Sequence, residues 1–318
     1  MKKNESGRAI RLERPLEGGV RSISVNDPTF SDLAGVLTGM KPVTYTDCAP
    51  HRLAYLTGLC RKLKLETLFV EEFLGRQAPH FNNDKKMIFI GRERAILEKA
   101  AKAWLHCSTD GEWGRLLGYP DCCARAFADW YNESALRDPR PEIITRILLN
   151  TKKRPALDFR LNNLWNYFSR MDFNDPKDCS SYRKMLDMNR EMDLPSLHVI
   201  SWHPCSYDCA RSREKAGVMF SFMRHHAPGY AAALENMLAR PALFWDKFRY
   251  AVLEGSVSGN RLEYAAVLPP KTLLSEKMYK LLACCDSVKT GKERTGFYRA
   301  GKAVFTAPGP APEILDFR

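Results

Sequence analysis

Two short segments, far apart in the sequence, constrain the fold of this chain most, because each combines a proline turn with cysteines. The first runs from Gly118 to Cys123 and the second from His203 to Cys209. Both lead into stretches whose apolar residues recur at helical spacing. Proline is tolerated at the first helical position, since the amide there has no intrahelical partner. We therefore predict that the two segments lie side by side and that each opens a helix.

The positions of these cysteines favour thiolate chemistry. A helix N-terminus presents unpaired amides and the positive end of the helix dipole, and both stabilise a thiolate over a thiol. Cys205 and Cys209 are four residues apart, so on a helix they share one face. If the two segments converge, three or four thiolates surround one point.

The adjacent pair, Cys122 and Cys123, allows two arrangements. Neighbouring side chains on a helix point about 100° apart, so only one of the two faces the centre if the turn is helical. If the turn is not helical, both reach inward. Phe127 and Trp130 continue the helical stripe that contains Cys123. We therefore expect Cys123 to be buried and Cys122 to be the more exposed cysteine.

The expected compartment determines how clustered cysteines are interpreted. The chain of 318 residues is 45% hydrophobic and 27% charged, which predicts a globular protein with a sizeable core. Its N-terminus is charged and lacks the apolar segment of a signal peptide, and no run reaches the roughly 18 apolar residues of a membrane helix. These features predict a cytoplasmic protein without a membrane partner, where clustered cysteines favour metal binding or thiol chemistry over disulfides.

The predicted ligands of a metal cofactor are Cys122, Cys123, Cys205 and Cys209. Thiolates alone suit zinc or an iron–sulfur cluster. Structural zinc sites usually contain Cys-x2-Cys pairs, and neither pair here has that spacing. The sequence therefore favours an iron–sulfur cluster, [4Fe–4S] in the first place, with zinc as the alternative.

Three residues near the cysteines form the predicted catalytic set. If only three thiolates bind a [4Fe–4S] cluster, one iron is left open to a substrate, and His203 could be the fourth ligand or a base. A capping or packing histidine would have the same pattern. Tyr119 belongs to the first segment, with core packing as its alternative. Arg125 lies within two turns of the cysteines, where it could bind an anionic substrate or balance thiolate charge. Cys48 and His51 are reserve candidates in another proline turn.

The remaining cysteines are interpreted as small packing residues, since free cysteine is among the most buried residue types. They are Cys60, Cys107, Cys179 and the adjacent pair Cys284 and Cys285.

The pattern of apolar residues predicts an α/β fold, with a mixed α+β fold possible, in which helix-rich layers surround a small mixed sheet. A strand over Lys86–Ile90 followed by a helix over Glu93–Leu105 is typical of such a layer. Residues 242–253 and 261–267 predict a C-terminal β-hairpin. A helix is predicted over Leu157–Met171 and a strand over Leu197–Trp202. Residues 1–40 predict a loosely ordered arm, and residues 41–318 a single domain with a possible subdivision near 150–195.

At the two cysteine motifs the sequence resembles an uncharacterised prokaryotic family, domain of unknown function 483. Members combine a Leu-Gly-Tyr-Pro-x-Cys-Cys segment with a later Pro-Cys-Ser-x-x-Cys segment, here Leu117–Cys123 and Pro204–Cys209. The resemblance extends from about Ile90 to Tyr264. It implies no particular reaction, so function must be argued from the site.

Three function classes follow from these features. The first is a metalloenzyme, a lyase or sulfurtransferase, whose iron–sulfur cluster acts as Lewis acid or sulfur carrier on a small or peptide-borne, anionic substrate. The second is an RNA-binding or RNA-modifying protein with a structural metal, which the formal charge of +12 supports. The third is a metal-free thiol redox enzyme. A radical S-adenosylmethionine motif is excluded because position 212 is Ser212, and no phosphate-binding loop occurs.

Overall fold

A computed structural model describes residues 9–24, 28–75, 86–105, 111–136, 143–152, 156–164, 198–246, 249–268, 274–309 and 311–318. Helices and strands both occur throughout these ranges, which confirms the mixed fold class. By its contacts the chain divides into two compact units. The first unit comprises Met1–Arg140, His198–Cys205 and Cys209–Leu234, and the second comprises Pro141–Leu197, Ser206–Asp208 and Glu235–Arg318.

The elements follow one another along the chain as listed here. Residues before 140 form β1 (Ala9–Leu16), β2 (Val20–Ser24), α1 (Phe30–Leu37), β3 (Val43–Cys48), α2 (Leu53–Lys62), β4 (Glu66–Phe69), α3 (Val70–Leu74), β5 (Lys86–Gly91), α4 (Arg94–Leu105), α5 (Glu112–Leu116) and α6 (Asp121–Leu136). The later residues form α7 (Ile143–Asn150), α8 (Ala210–His226), α9 (Pro228–Leu238), β6 (Ala242–Asp246), β7 (Arg249–Ser258), β8 (Arg261–Leu268), α10 (Glu276–Cys284), β9 (Ser287–Lys289), β10 (Arg294–Arg299), β11 (Lys302–Pro308) and β12 (Glu313–Leu315).

Within the described residues 9–24 and 28–40, the N-terminal segment contains two strands and a helix, whereas its sequence predicts a loosely ordered arm. Strands β1 and β2 pair antiparallel, with Ile10 opposite Ile23. Helix α1 begins after Thr29, whose side chain accepts a hydrogen bond from the amide of Asp32. Leu33 of α1 is buried. Each of these elements has eight residues or fewer, so none is long enough to show a clear apolar period.

A three-stranded sheet forms the core of the first unit. Its strand order is β3-β5-β4, and both pairs are antiparallel. The central strand β5 is buried on both faces, which explains its unbroken apolar sequence. Helix α4 packs on the sheet, with Leu97 in the same apolar cluster as Phe89. The strand predicted over Lys86–Ile90 and the helix predicted over Glu93–Leu105 are thereby confirmed.

The second unit contains a seven-stranded antiparallel sheet with the order β11-β10-β9-β8-β7-β6-β12. Leu262, Val288 and Phe297 lie in one row across its central strands and share an apolar cluster with Leu282 of α10. The predicted hairpin is present as β7 and β8, which join at residues 259–260. Residues 254–258, which lie between the two predicted strands, belong to β7, because the turn needs only two residues.

Two predicted elements are wrong in the part of the chain that the structure describes. Residues 157–164 contain only a short 3₁₀ turn at Phe159–Leu161, and residues 165–171 of the predicted helix lie outside the described ranges. The backbone of Leu157 bonds to Asp316 and Arg318, so it does not enter a helix. Residues 198–202 form no strand, although Val199, Ile200 and Trp202 are buried. The apolar sequence that predicts a strand therefore belongs to an irregular segment whose side chains are buried.

No helix among the described residues combines the length and the hydrophobicity that crossing a membrane requires.

Candidate metal centre

The cysteines of the two motif segments meet within the first unit. Cys122 and Cys123 lie in the first turn of α6, Cys205 lies in the segment before α8, and Cys209 immediately precedes the first residue of α8. Their four Sγ atoms all lie within 4.8 Å of one another, and such a group could hold a metal ion. The predicted convergence of the two segments is confirmed.

The separations between the sulfurs suit a single ion. Cys122 Sγ and Cys123 Sγ are each 3.7 Å from Cys209 Sγ, and they are 3.9 Å from one another. Four sulfurs placed tetrahedrally at a metal–sulfur distance of about 2.3 Å would be about 3.8 Å apart. The three separations therefore match one face of a tetrahedral thiolate site, and Cys205 Sγ lies within 4.8 Å of each of its corners.

The local geometry differs from the predicted one in two respects. The turn at Cys122 and Cys123 is helical, yet both thiols reach the centre, with their Sγ atoms 3.9 Å apart. Cys205 and Cys209 do not share a helix, since α8 begins only at Ala210. The expected difference in exposure is confirmed, with Cys123 only 1% exposed and Cys122 half-buried.

Proline and glycine fix the entry of the chain into α6. The Pro120 carbonyl accepts hydrogen bonds from the amides of Cys123 at 2.8 Å and Ala124 at 2.9 Å. Gly118 has a φ of +83°, and a Cβ there would lie 2.5 Å from the Met40 carbonyl oxygen. Only glycine fits this position without strain. The Leu-Gly-Tyr-Pro sequence therefore fixes the position of the first turn of α6 beside the four-sulfur group.

Two polar groups support the sulfur of Cys123. The amide of Cys205 donates to Cys123 Sγ at 3.3 Å, and Ser212 Oγ lies 3.2 Å from the same sulfur. Ser212 in turn accepts a hydrogen bond from Trp202 Nε1 at 3.0 Å. Ser212 is fully buried and Trp202 is 1% exposed. Donors to a thiolate sulfur orient the ligand and disperse its charge, as outer partners of metal ligands do.

The thiols influence one another's ionisation. Hydrogen bonds with Cys205 and Cys209 raise the pKa of Cys123, while hydrogen bonds from Cys123 and Cys205 lower the pKa of Cys209. The two directions are opposite because the sulfurs share hydrogen bonds, so ionisation belongs to the group and not to one thiol. Four thiolates so close together need a cation between them, because like charges in a partly buried site oppose further ionisation.

The three predicted catalytic residues surround the centre without belonging to the four-sulfur group. The Tyr119 hydroxyl donates to the Ser201 carbonyl oxygen at 3.4 Å, and burial raises the pKa of Tyr119 well above its usual range. The His203 ring stacks on Phe127 with centroids 5.8 Å apart, and burial lowers the pKa of His203 to about 4. Arg125 is exposed on α6. Their catalytic roles stay predictions.

A charged group formed by Asp32, Lys41 and His198 is not evident from the sequence. Lys41 Nζ donates to the Asp32 carboxylate and to Ser201 Oγ, the latter at 2.7 Å. His198 Nε2 lies 4.0 Å from Asp32 Oδ2. Burial alone would raise the pKa of Asp32, but the charges of Lys41 and His198 lower it to about 2. No spacing rule links residues 32, 41 and 198, so only the fold reveals this group.

The other cysteines that the structure describes lie apart from the centre. Cys48 is buried and its thiol donates to the Ala49 carbonyl oxygen at 3.6 Å, and neither Cys48 nor His51 belongs to the four-sulfur group. Cys60 is buried in α2, where burial raises its pKa to about 12, as its packing role predicts. Cys107 and Cys179 lie outside the described residues.

Comparisons with protein-family models, with curated proteins and with solved structures found no match to this chain. The resemblance at the two cysteine motifs therefore stays a prediction.

Proposed function

We propose that Cys122, Cys123, Cys205 and Cys209 bind one metal ion tetrahedrally, with zinc as the first candidate. The observation that carries this proposal is the set of separations among Cys122, Cys123 and Cys209 Sγ, which match three edges of a thiolate tetrahedron around one ion. The fourth sulfur, of Cys205, lies within 4.8 Å of the other three. Zinc suits the donors, because it accepts four thiolates and imposes no geometry of its own.

The ion is proposed to be structural in the first place. Catalytic zinc sites keep one position open for water or substrate, whereas four protein thiolates close the coordination sphere. Such an ion would tie the start of α6 to the start of α8 and to the irregular segment between Trp202 and Cys205. Binding of a structural ion contributes directly to the free energy of folding.

An iron–sulfur cluster, which the sequence favours, remains the second candidate. The absence of Cys-x2-Cys spacing supports it. Each thiolate of a [4Fe–4S] cluster binds a different iron, so the four sulfurs must stand further apart than on one ion. A cluster therefore requires the first turn of α6 to move away from Cys205 and Cys209, so that the separations between the sulfurs increase. A lyase or sulfurtransferase role depends on this second candidate.

Metal and sulfide analysis of protein purified without oxygen distinguishes these candidates. We expect one ion per chain, no acid-labile sulfide and, for zinc, no colour. Cys123→Ser should lose more of the ion than Cys122→Ser, because Cys123 is the more buried ligand and its sulfur has two polar contacts. Cys60→Ser, at a buried cysteine of α2 outside the four-sulfur group, is the matched control and should keep it. Stoichiometric sulfide would favour the iron–sulfur cluster. Protein that contains no metal would contradict both metal candidates and favour a metal-free thiol redox function.

RNA binding or modification is compatible with the same structural ion, and the formal charge of +12 favours an anionic partner. Filter binding of a single-stranded RNA at several salt concentrations tests it. We expect affinity to fall as salt rises, with a logarithmic slope of about −0.7 for each phosphate contacted. Absence of binding at low salt would remove this candidate and leave the metal proposal unaffected.

A further inference from the structure

A second pair of adjacent cysteines lies at the end of α10 in the second unit. Cys284 is the last residue of the helix and is exposed, while Cys285 has an extended backbone and is 8% exposed. Their Sγ atoms are 4.0 Å apart. This arrangement goes beyond the packing role that the sequence suggests for both residues, because packing does not explain the exposure of Cys284.

The separation of this pair almost equals the 3.9 Å between Cys122 and Cys123 in the four-sulfur group. Two sulfurs 4.0 Å apart can both bind one centre at about 2.3 Å, since half their separation is shorter than that bond. In the described ranges, no third metal-binding side chain joins Cys284 and Cys285 in such a group. The pair can therefore bind one centre through two thiolates.

The position at a helix C-terminus determines which ligands this pair would select. The negative end of the helix dipole disfavours a thiolate there, in contrast to the N-terminal position of Cys122 and Cys123. The Cys284 thiol donates to the Leu281 carbonyl oxygen at 3.1 Å, and a ligand that binds this sulfur replaces that hydrogen bond. A ligand must then displace both protons, and soft centres that form strong bonds to sulfur do this best.

We propose that Cys284 and Cys285 form a second thiolate site that takes one soft, thiophilic centre of the arsenic(III) class. With phenylarsine oxide as probe, two As–S bonds form, and the arsenic oxygen leaves as water with the two thiol protons. Arsenic stays trivalent and both sulfurs keep their oxidation state, so the step needs no oxidant or reductant.

The test uses the full chain loaded with its ion, one equivalent of phenylarsine oxide, and intact mass spectrometry with peptide mapping. We expect the wild type to gain one phenylarsenic group on residues 284–285, and a dithiol such as 2,3-dimercaptopropanol to remove it. Cys284→Ser, Cys285→Ser and the double variant should lose this adduct, while Cys60→Ser should keep it. Circular dichroism of each variant verifies the fold.

Two results would overturn the proposal. One is a wild type that gains no adduct on residues 284–285, and the other is a double variant that gains as much as the wild type. If the four-sulfur group held no ion, it would also react with phenylarsine oxide, and it would do so equally in the wild type and in the Cys284→Ser, Cys285→Ser double variant. The difference between those two proteins therefore reports on Cys284 and Cys285 alone.

Discussion

Replacement of Ser212 by alanine tests whether the polar contacts behind the sulfurs support the metal centre. Ser212 Oγ lies between Cys123 Sγ at 3.2 Å and Trp202 Nε1 at 3.0 Å, and all three residues are buried. The hydroxyl can donate to the sulfur while it accepts from the indole. Ser212→Ala removes both contacts and changes the side-chain volume little.

The two lost contacts have different expected magnitudes. Without the Ser212 hydroxyl, the buried Nε1–H group of Trp202 has no acceptor, and such an unsatisfied donor lowers the free energy of unfolding by about 1–3 kcal/mol. Loss of an outer partner of a metal ligand typically lowers metal affinity by about 10–100-fold. We therefore expect Ser212→Ala to weaken zinc binding by about that factor and to destabilise the loaded protein.

Competitive zinc titration against a chromophoric chelator and urea unfolding measure these two effects. Ser256→Ala, at an exposed serine of β7, is the matched control and should change neither. Trp202→Phe combined with Ser212→Ala removes the donor as well as its acceptor, so the two changes should cost less than their sum. Wild-type zinc affinity in Ser212→Ala would refute the role of this contact.

Four further predictions concern the framework around the centre. Lys41→Met should lower the unfolding free energy by about 3–5 kcal/mol in urea titrations, because it leaves the buried Asp32 carboxylate without its main partner. Since the pKa of Asp32 is lowered from 3.8 to about 2, its contribution of roughly 2 kcal/mol is present above pH 4 and lost as pH falls from 4 to 2. His198, whose pKa burial lowers, should make unfolding easier as pH falls below its unfolded value of 6.5, and His198→Gln should remove that part of the pH dependence. Gly118→Ala should cost more in thermal unfolding than Gly39→Ala, because both have positive φ but only Gly118 has backbone within 3 Å of an added Cβ.

The candidate centre was the part of the molecule that the sequence predicted best. Proline and glycine restrict the backbone locally, so Gly118 and Pro120 indicate a turn before a helix without any long-range information. Cysteines that follow such turns are strong candidates for one site. Sequence alone could not show that the helical turn at Cys122 and Cys123 lets both sulfurs converge, because that depends on two side-chain rotations.

The parts of the fold that sequence missed depend on tertiary contacts. The segment His198–Trp202 has the apolar composition of a strand, yet its side chains are buried without a partner strand in the described residues. Asp32, Lys41 and His198 come together only through the fold, and no local pattern marks them. The order of the seven-stranded sheet likewise depends on pairing between distant strands, such as β12 with β6.

X-ray absorption at the metal edge of the purified, loaded protein tests the single-ion centre most directly. We expect the metal to have four sulfur neighbours at about 2.3 Å and no scattering from a second metal. Nitrogen or oxygen in the first shell would contradict the four-thiolate ligand set, and a nearby second metal would contradict the single ion. The four-sulfur signal should be lost in Cys123→Ser and kept in the control Cys60→Ser.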